Sequence, residues 1–316
     1  MPYDQQASLE DIYYCFRLIL GRAPNPEEWP GHSSLAGTDL DAVVRHYINS
    51  LEFSKRSAAL LERDFEGHYT LVRLPGFCLY VHENDQAVGP AVKQGNYEPH
   101  VTALFRDRLK QGMHVLDVGA NVGYFSMLAA SLVGPAGSVL AIEPNAGNVK
   151  LLEASRRANC FANITVLQTA AGSETGLLVL NTSYSNGTTA PLSDDLGSLI
   201  DATTVPCVRI DDVAPKGRRI DFIKIDVEGA EYTALSGARE LIRRDRPAIA
   251  SEFSPGMLRM ISGIDGPPYL DFLLGLGYRV SVVETDGTLT ACGADIAKVM
   301  AAYDASGMDH IDILLD

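Results

Sequence analysis

The stretch VLDVGANVGYFS, residues 115–126, decides the fold of this chain. It opens as a β-strand, turns at Gly119 and Gly123, and continues into a helical pattern from about Val122 to Leu132. A strand that enters a helix through a glycine turn is typical of the ligand-binding junction in Rossmann-like α/β domains. The glycines let a ligand and the helix approach the backbone closely, and Asn121 is a suitable N-cap. Because the first N–H groups of a helix are free, we expect this turn to hold an anion.

Short runs that are apolar nearly throughout predict the strands of one sheet. They are HVLDVGA (114–120), SVLAIEP (138–144), ITVLQTAAG (164–172), DFIKIDVEG (221–229) and AIASEF (248–253). Helical patterns separate several of them, which indicates a parallel sheet covered by helices on both faces. Two later runs, YRVSVVET (278–285) and HIDILLD (310–316), are predicted to pair antiparallel at one edge.

Residues 1–65 are predicted to form a small helical module. Residues 8–20 place apolar side chains at helical spacing, with Ser8 as the N-cap and Gly21 as the stop. A second helix is expected after Asp39, and the Pro- and Gly-rich segment between the two helices is expected to be a loop.

Residues 66–111 are predicted to lead into the main domain. Pro75-Gly76 lies between two β-prone runs and indicates a hairpin turn, and residues 97–110 are expected to form a helix that ends near Gly112. The rest of the chain, 112–316, is the predicted α/β domain.

The amino-acid composition argues against some classes of binding partner and indicates a cellular location. The 316 residues carry a formal net charge of −14, which opposes binding to nucleic acid or to an anionic membrane. Five widely spaced cysteines without a C-x-x-C pair predict buried free thiols in a reducing compartment and no metal site. No signal peptide is evident and no apolar run reaches the ~20 residues of a membrane span, so a cytoplasmic protein is expected. A homo-oligomer is compatible with the sequence.

Two acidic residues favour S-adenosylmethionine over a dinucleotide as the ligand of the glycine turn. Glu143 closes the second strand 20 residues after Gly123, where its carboxylate can accept hydrogen bonds from two ribose hydroxyls. The turn reads G-x-x-x-G and lacks the middle glycine that a pyrophosphate needs. Asp117, at the carboxyl end of the first strand, would repel a pyrophosphate but suits the ammonium of an amino-acid-like ligand. S-adenosylmethionine carries this ammonium, a carboxylate for the helix N-terminus and a ribose.

The chain resembles the FkbM family of S-adenosylmethionine-dependent methyltransferases over about residues 70–255. The segments that carry the resemblance are NYEPH (96–100), VLDVGANVGYFS (115–126), AIEPNAGNVKLLE (141–153), Asn186-Gly187, VPCVRIDDV (205–213) and IDFIKIDVEGAEYTALSGA (220–238). The resemblance implies the class I methyltransferase fold, a Rossmann-like seven-stranded sheet with an antiparallel edge strand, in which the last strand inserts antiparallel. It also implies that Tyr97 and Glu98 help to close over the amino-acid end of the cofactor.

The N-terminal module has a separate likeness. IYYCFRLILGRAPNPEEW and VVRHYINSLEFSKR, within residues 8–60, resemble the short helical DUF4214 domain. This domain is often attached to bacterial proteins that build or modify surface polysaccharide, and it carries no known chemistry.

The segment KIDVEGAE (224–231) supplies the candidate catalytic residues. A sulfonium methyl is already activated, so catalysis needs a positioned nucleophile and a nearby base. Asp226 and Glu228 are the favoured candidates, one as base or hydroxyl acceptor and the other as an orienting group, and Glu252 is a second-rank candidate. The alternative is that Lys224 and these acids form an ion-paired network that holds the strand end, with Glu231 as a helix-dipole partner.

Three other features are given structural interpretations. His100 beside Pro99 is expected to be a packing or solvated residue, and Asp211 and Asp212 are expected to be turn formers before a strand rather than metal ligands. The polar segment 181–195 either orders over substrate or forms a surface excursion.

The predicted function is O-methylation of a sugar or glycan precursor for surface polysaccharide. The FkbM resemblance implies O-methylation, and the DUF4214-like module points to polysaccharide. Methylation of a polyketide-like small molecule or of a protein is the nearest alternative. A nicotinamide-dependent oxidoreductase and a non-catalytic binding module are more remote. The expected partner is therefore a carbohydrate or small molecule with a hydroxyl acceptor.

Overall fold

The computed structural model describes residues 6–56, 68–181, 187–192, 200 and 202–316. These form two compact units. One holds the described residues before His68 together with Arg156–Cys160, and the other holds His68–Ser155 and Phe161–Asp316.

The first unit is helical. Its elements are an α-helix Leu9–Tyr14, a π-helix Cys15–Leu20, α-helices Trp29–Ser33 and Leu40–Ile48, and a helical segment 51–56. Ser8 caps the first helix in a reciprocal capping box, because its hydroxyl accepts from the N–H of Asp11 and the Asp11 carboxylate accepts from the N–H of Ser8. The predicted helices are confirmed, with a change to π geometry at Cys15. Trp29–Ser33 lies in the predicted loop, since Pro30 fits the first turn of a helix.

The second unit alternates strands and helices. The strands are β1 Tyr69–Leu74, β2 Phe77–His82, β3 His114–Val118, β4 Ser138–Ile142, β5 Ile164–Leu167, β6 Ala170–Ala171, β7 Gly176–Asn181, β8 Thr188–Ala190, β9 Thr204–Val208, β10 Phe222–Ile225, β11 Ala248–Phe253, β12 Val280–Val283, β13 Leu289–Gly293 and β14 Ile311–Leu315. The helices are Gly89–Lys93, Pro99–Arg108, Tyr124–Val133, Ala146–Ala158, Ile210–Val213, Glu231–Ser236, Arg239–Asp245, Pro255–Ile261, Gly266–Gly275 and Ile296–Ser306. Ala146–Ala158 belongs to this unit up to Ser155. β1 and β2 form the predicted hairpin. The helix from Pro99 ends at Arg108, before the predicted stop near Gly112.

The main sheet has eight strands in the order β13-β12-β14-β11-β10-β3-β4-β5. β5, β4, β3, β10 and β11 are parallel, and β14 inserts antiparallel between β11 and β12. Without β13 this is the seven-stranded class I methyltransferase arrangement. β13 adds an eighth, antiparallel edge strand, so the expected strand count was one too low. β12 and β14 pair antiparallel as predicted, but β14 lies inside the sheet instead of at its edge.

Apolar side chains cover both faces of this sheet, with the period of two that a strand imposes. On β10, Ile223 and Ile225 enter one core cluster, whereas Phe222 enters the other with Phe125 and Met127 of the helix Tyr124–Val133. Lys224 therefore shares the face of Phe222. A smaller sheet, with the order β6-β9-β7-β8, takes up the end of the predicted strand 164–172. None of the helices that the structure describes is long and apolar enough to span a membrane.

None of the five cysteines, all of which lie in the described residues, forms a disulfide. Cys15, Cys207 and Cys292 are buried as expected. Cys78 is half-buried and Cys160 is exposed, which corrects the expectation of five buried thiols.

Candidate active site

A cavity of about 340 Å³ lies at the carboxyl ends of the parallel strands. β3 and β10 are hydrogen-bonded neighbours, and the strand order reverses between them, so their carboxyl ends meet at the switch point where open α/β sheets bind ligands. The described residues that line the cavity include Tyr97, Glu98, Gly119, Asn121, Glu143, Thr169, Gly187, Asp226, Glu228, Glu252, Asp309, His310 and Asp312. Its volume fits a small-molecule site.

The glycine turn is shaped by contacts within the chain. A Cβ on Gly119 would lie 1.8 Å from the carbonyl oxygen of Asp226, and φ at Gly119 is +80°. A Cβ on Gly123 would lie 2.7 Å from Cγ of Leu152. The close neighbour at Gly123 is thus the helix Ala146–Ala158 and not the helix that follows the turn, while Gly119 allows β3 and β10 to end side by side.

Asn121 is not the N-cap of the following helix, contrary to expectation. The helix begins at Tyr124, and Gly123 at φ 95° is its N-cap residue. The Asn121 side chain instead accepts a hydrogen bond from the N–H of Val122 at 2.8 Å. The chain turns at Gly123 because only glycine adopts this φ without strain. Asn121 nevertheless lines the cavity.

Glu143 ties the glycine turn to the loop after β4. Its Oε2 accepts from the N–H of Asn121 and its Oε1 accepts from the N–H of Asn145, both at 2.8 Å, with Asn148 Nδ2 at 3.4 Å. Burial raises the pKa of Glu143 to about 7, and these hydrogen bonds limit the rise. Oε1 already has two donors and Oε2 has one, so the second lone pair of Oε2 can also accept from a ligand in the cavity.

Asp117 has one oxygen without a partner. Its Oδ2 accepts from the Ser126 hydroxyl at 2.6 Å, whereas Oδ1 is buried and has no hydrogen-bond partner in the described structure. Burial raises the pKa of Asp117, and Lys224 opposes the rise. Asp117 lines a small recess beside the main cavity, together with Tyr97 and Asn121, which line both. An orphaned buried carboxylate oxygen is a place for a donor from a ligand.

Lys224 is the buried cation of the site. Its Nζ lies 2.8 Å from Asp226 Oδ2 and 4.7 Å from the ring centroid of Phe125. Burial alone would lower the pKa of Lys224, but attraction by Asp226, Glu98 and Asp117 raises it above the ordinary value. Burial likewise opposes ionisation of Asp226, yet Lys224 keeps its pKa below the usual range. Lys224 and Asp226 thus form the ion pair of the structural alternative.

Glu231 is a structural residue. Its Oε1 accepts from the backbone N–H of Val227 at 2.9 Å and of Gly229 at 3.2 Å, which fixes the loop after β10. Burial raises its pKa to about 7. Glu231 is also the first residue of the helix Glu231–Ser236, where the positive end of the helix dipole stabilises a carboxylate.

The three candidate catalytic carboxylates all line the cavity. Glu228 lies in the loop after β10 at φ 52°. Burial, followed by repulsion from Asp226, raises the pKa of Glu252 to about 11. Glu252 is therefore protonated at neutral pH. A protonated acid cannot accept a proton, so Glu252 is suited to donate a hydrogen bond and not to act as a base.

Tyr97 and Glu98 close one side of the cavity. Glu98 adopts φ 38° immediately before the helix Pro99–Arg108. Burial raises the pKa of Glu98 to about 7, although Lys224 opposes the rise. The structure thus places this pair beside Lys224 and Asp226, and both side chains reach the recess or the cavity.

Sequence reasoning missed Asp309, His310 and Asp312, which also line the cavity. His310 Nδ1 lies 2.9 Å from Asp309 Oδ1, and Asp312 pairs in register with Glu252 across β14 and β11. The sequence HIDILLD predicts a strand but does not itself indicate a site. Because β14 runs antiparallel, its first residues lie at the carboxyl ends of the parallel strands. The predicted antiparallel pairing of HIDILLD is the sequence signal that could have placed these three residues at the site.

Two structural expectations need correction and one region lies outside the described residues. His100 Nε2 pairs with Asp312 Oδ2 at 2.7 Å, so it is neither a packing nor a solvated residue. Asp211 and Asp212 lie in the helix Ile210–Val213 and not before a strand, and Asp211 accepts from the N–H of Leu241 at 2.8 Å. Asn186 and much of 181–195 are outside the described part of the chain. Within that part, no three His, Cys, Asp or Glu side chains are grouped to hold a metal.

The raised carboxyl pKa values predict that stability falls with rising pH. Above pH 4.5 the unfolded chain loses protons that folded Glu98, Glu143 and Glu231 keep up to about pH 7, and Glu252 up to about pH 11. Each such group lowers the free energy of unfolding by at most about 1.4 kcal/mol per pH unit within its window. Denaturant titrations at pH 5, 6, 7 and 8 measure this slope.

Glu252→Gln removes one titrating group from this slope. The variant is expected to depend less on pH than the wild type, and its advantage in stability should grow toward pH 8. The control is Glu174→Gln, at an exposed position outside the cavity. A stability that is constant or increases from pH 5 to pH 8 would contradict the prediction.

The comparisons with known proteins agree with the family resemblance. Residues 117–280 match the model described as the methyltransferase FkbM domain. None of the curated proteins matches the chain.

Similar solved structures include a methyltransferase FkbM from Methylobacillus flagellatus, with 17% identity and a TM-score of 0.44 over 96% of this chain and 58% of that one. Aeropyrum pernix fibrillarin, crystallised with S-adenosyl-L-methionine, has 14% identity and a TM-score of 0.39 over 68% of this chain and 73% of its own. The chain therefore spans 58% of the length of the Methylobacillus protein. Since the family model covers more than half of the 316 residues, the chain belongs to the FkbM methyltransferase family.

Proposed function

We propose that this protein transfers a methyl group from S-adenosylmethionine to a hydroxyl of a sugar or glycan precursor. The observation that carries the proposal is the pair of acids at adjoining strand ends, Asp117 in the last residues of β3 and Glu143 directly after β4. Asp117 has a buried oxygen without a partner, and Glu143 lines the cavity beside it.

The cytoplasm is the proposed location of the protein, because its cysteines are odd in number and form no disulfide.

The residues present fit S-adenosylmethionine. In the proposal, Glu143 accepts from the ribose hydroxyls and the orphaned oxygen of Asp117 accepts from the ammonium group. Tyr97 and Glu98 close over the amino-acid end, as the family resemblance implies. The bound cofactor supplies a methyl group that its sulfonium has already activated.

The other side of the cavity suits a hydroxyl acceptor. Glu252 is protonated and can donate a hydrogen bond to an acceptor oxygen, while Asp226 is held by Lys224. Glu228 in the loop after β10 is the carboxylate proposed to accept the hydroxyl proton. The choice of a glycan acceptor is supported by the FkbM resemblance and by the DUF4214-like N-terminal segment.

Asp117→Asn tests the cofactor site. The amide keeps the size of the side chain but removes its charge, so the affinity for S-adenosylhomocysteine should fall by about tenfold or more, which is about 1.4 kcal/mol. Titration calorimetry measures this change. Asp107→Ala is the control, because the Asp107 side chain is 77% exposed and should leave the affinity unchanged.

Methyl transfer itself is tested with isotope-labelled S-adenosylmethionine and a panel of glycosides. Label in an alkali-stable methyl ether of a sugar is expected. Equal affinity of the wild type and Asp117→Asn would refute the cofactor placement, and label only on nitrogen or in methyl esters would refute the proposed acceptor group.

A further inference from the structure

A second cavity of about 460 Å³ adjoins the main one at the same edge of the sheet. Its walls come from His100, from the end of β12 and the residues Glu284 and Thr285, from the last turns of the helix Ile296–Ser306, and from the segment 308–312. All of these lie in the second unit. None of the residues assigned above to cofactor binding lines this cavity.

The two cavities share a polar wall. His310 and Asp312 line both of them. Asp312 is held by His100 at 2.7 Å, and it lies opposite Glu252 in the pairing of β14 with β11. The side of the second cavity that faces the proposed site of methyl transfer is therefore polar.

Apolar groups form much of the remaining wall of the second cavity. The buried residues Val282, Val283 and Ile311 line it, and so do Ala302 and Met308. Met308 is 52% exposed, so its side chain is accessible to a ligand. Cavities with apolar walls and a few polar groups at one end bind ligands that combine the same two features.

The charge of the second cavity disfavours anions. Glu284 and Asp312 line it, and the described lining residues include neither lysine nor arginine. The carbonyl end of the helix Ile296–Ser306 adds partial negative charge, because its last turns form part of the wall. Among the described lining residues, only the imidazoles of His100 and His310 can carry positive charge, and His100 is already paired with Asp312, so the carboxylates would oppose a phosphate at this position.

We propose that the second cavity binds the apolar portion of an uncharged acceptor, whose hydroxyl end lies against His310 and Asp312 and so faces the main cavity. The proposal rests on the proposed methyl transfer to a hydroxyl and specifies its acceptor class. That class is a sugar or other alcohol joined to an aromatic or alkyl group, and it excludes a sugar joined to a nucleoside diphosphate.

The test uses the full chain loaded with S-adenosylhomocysteine and titrated with three sets of probes. These are 4-nitrophenyl hexosides, the matching methyl hexosides, and UDP-hexoses. We expect at least one 4-nitrophenyl hexoside to bind at least tenfold more tightly than its methyl counterpart, and no UDP-hexose to bind more tightly than the methyl hexosides. Absence of aryl hexoside binding, equal affinity for methyl hexosides, or tighter binding of a UDP-hexose overturns the proposal.

A matched pair of variants locates the binding site. Ala305 lines the second cavity, and Ala301 is exposed one turn earlier on the same helix without lining it. Ala305→Trp should weaken aryl hexoside binding at least tenfold, whereas Ala301→Trp should leave it unchanged. Equal effects of both variants overturn the location. Both variants should bind S-adenosylhomocysteine like the wild type. Failure of the wild type itself to bind S-adenosylhomocysteine is a different result, because it would refute the proposed function and not the location of the acceptor site.

Discussion

Lys224→Met is expected to destabilise the protein by about 3–5 kcal/mol, the cost of leaving buried charges without their partner. Lys224 is fully surrounded, with 6% of its side chain exposed, and it is paired with Asp226 at 2.8 Å. Its charge also favours ionisation of Asp117 and opposes the raised pKa of Glu98. Without the ammonium group, these acids must take up protons or repel one another. Denaturant unfolding at pH 7 measures the loss.

Two further variants separate charge from packing at Lys224. Lys93→Met is the control, because Lys93 pairs with Glu83 at the surface and such pairs contribute about 0–1 kcal/mol. The double variant Lys224→Met with Asp226→Asn removes both charges of the buried pair and should recover part of the lost stability. If the double variant is less stable than Lys224→Met alone, the electrostatic explanation is wrong.

Glu143→Gln is expected to weaken binding of S-adenosylhomocysteine by about 100-fold, or about 2.7 kcal/mol. The carboxylate accepts two backbone N–H groups, from Asn121 and Asn145, and the proposed ribose hydroxyls as well. An amide offers one oxygen and turns an NH₂ group toward one of those N–H donors. The substitution therefore disturbs the glycine turn and removes an acceptor for the ligand.

Titration calorimetry at pH 8 measures this effect, with Glu174→Gln as an exposed control. The wild type should also bind more tightly at pH 8 than at pH 6. Burial raises the pKa of Glu143 to about 7, and its charged form is the stronger acceptor for the ribose while it also holds the two backbone N–H groups. This pH dependence should be smaller in Glu143→Gln. An affinity within twofold of the wild type would exclude Glu143 from the ligand site.

The sequence predicted the local parts of the fold and site because short-range patterns determine them. The glycine turn, the parallel strands around it and the hairpin at Pro75-Gly76 all follow from residues that are close in the chain. Glu143 could be placed at a strand end because a strand, a turn and a helix of ordinary length precede it.

The parts that were not predicted depend on pairing between distant segments. β13 is a short edge strand in which the only fully buried residue is Cys292, so its sequence lacks a clear period of two. The position of Asp309, His310 and Asp312 depends on the direction of β14, which pairing with β11 fixes some 60 residues away. The balance between Lys224 and its surrounding acids depends on burial, which no spacing in the sequence reports.

The insertion of β14 has a consequence for the order of folding. β12 is joined to the parallel part of the main sheet only through β14, since β14 pairs with β11 on one side and with β12 on the other. During synthesis the chain can therefore assemble β3, β4, β5, β10 and β11 first, while the β12–β13 hairpin waits for its neighbour. β14 also carries Asp312 and follows His310 directly, so the proposed acceptor pocket forms only when β14 has paired with both β11 and β12.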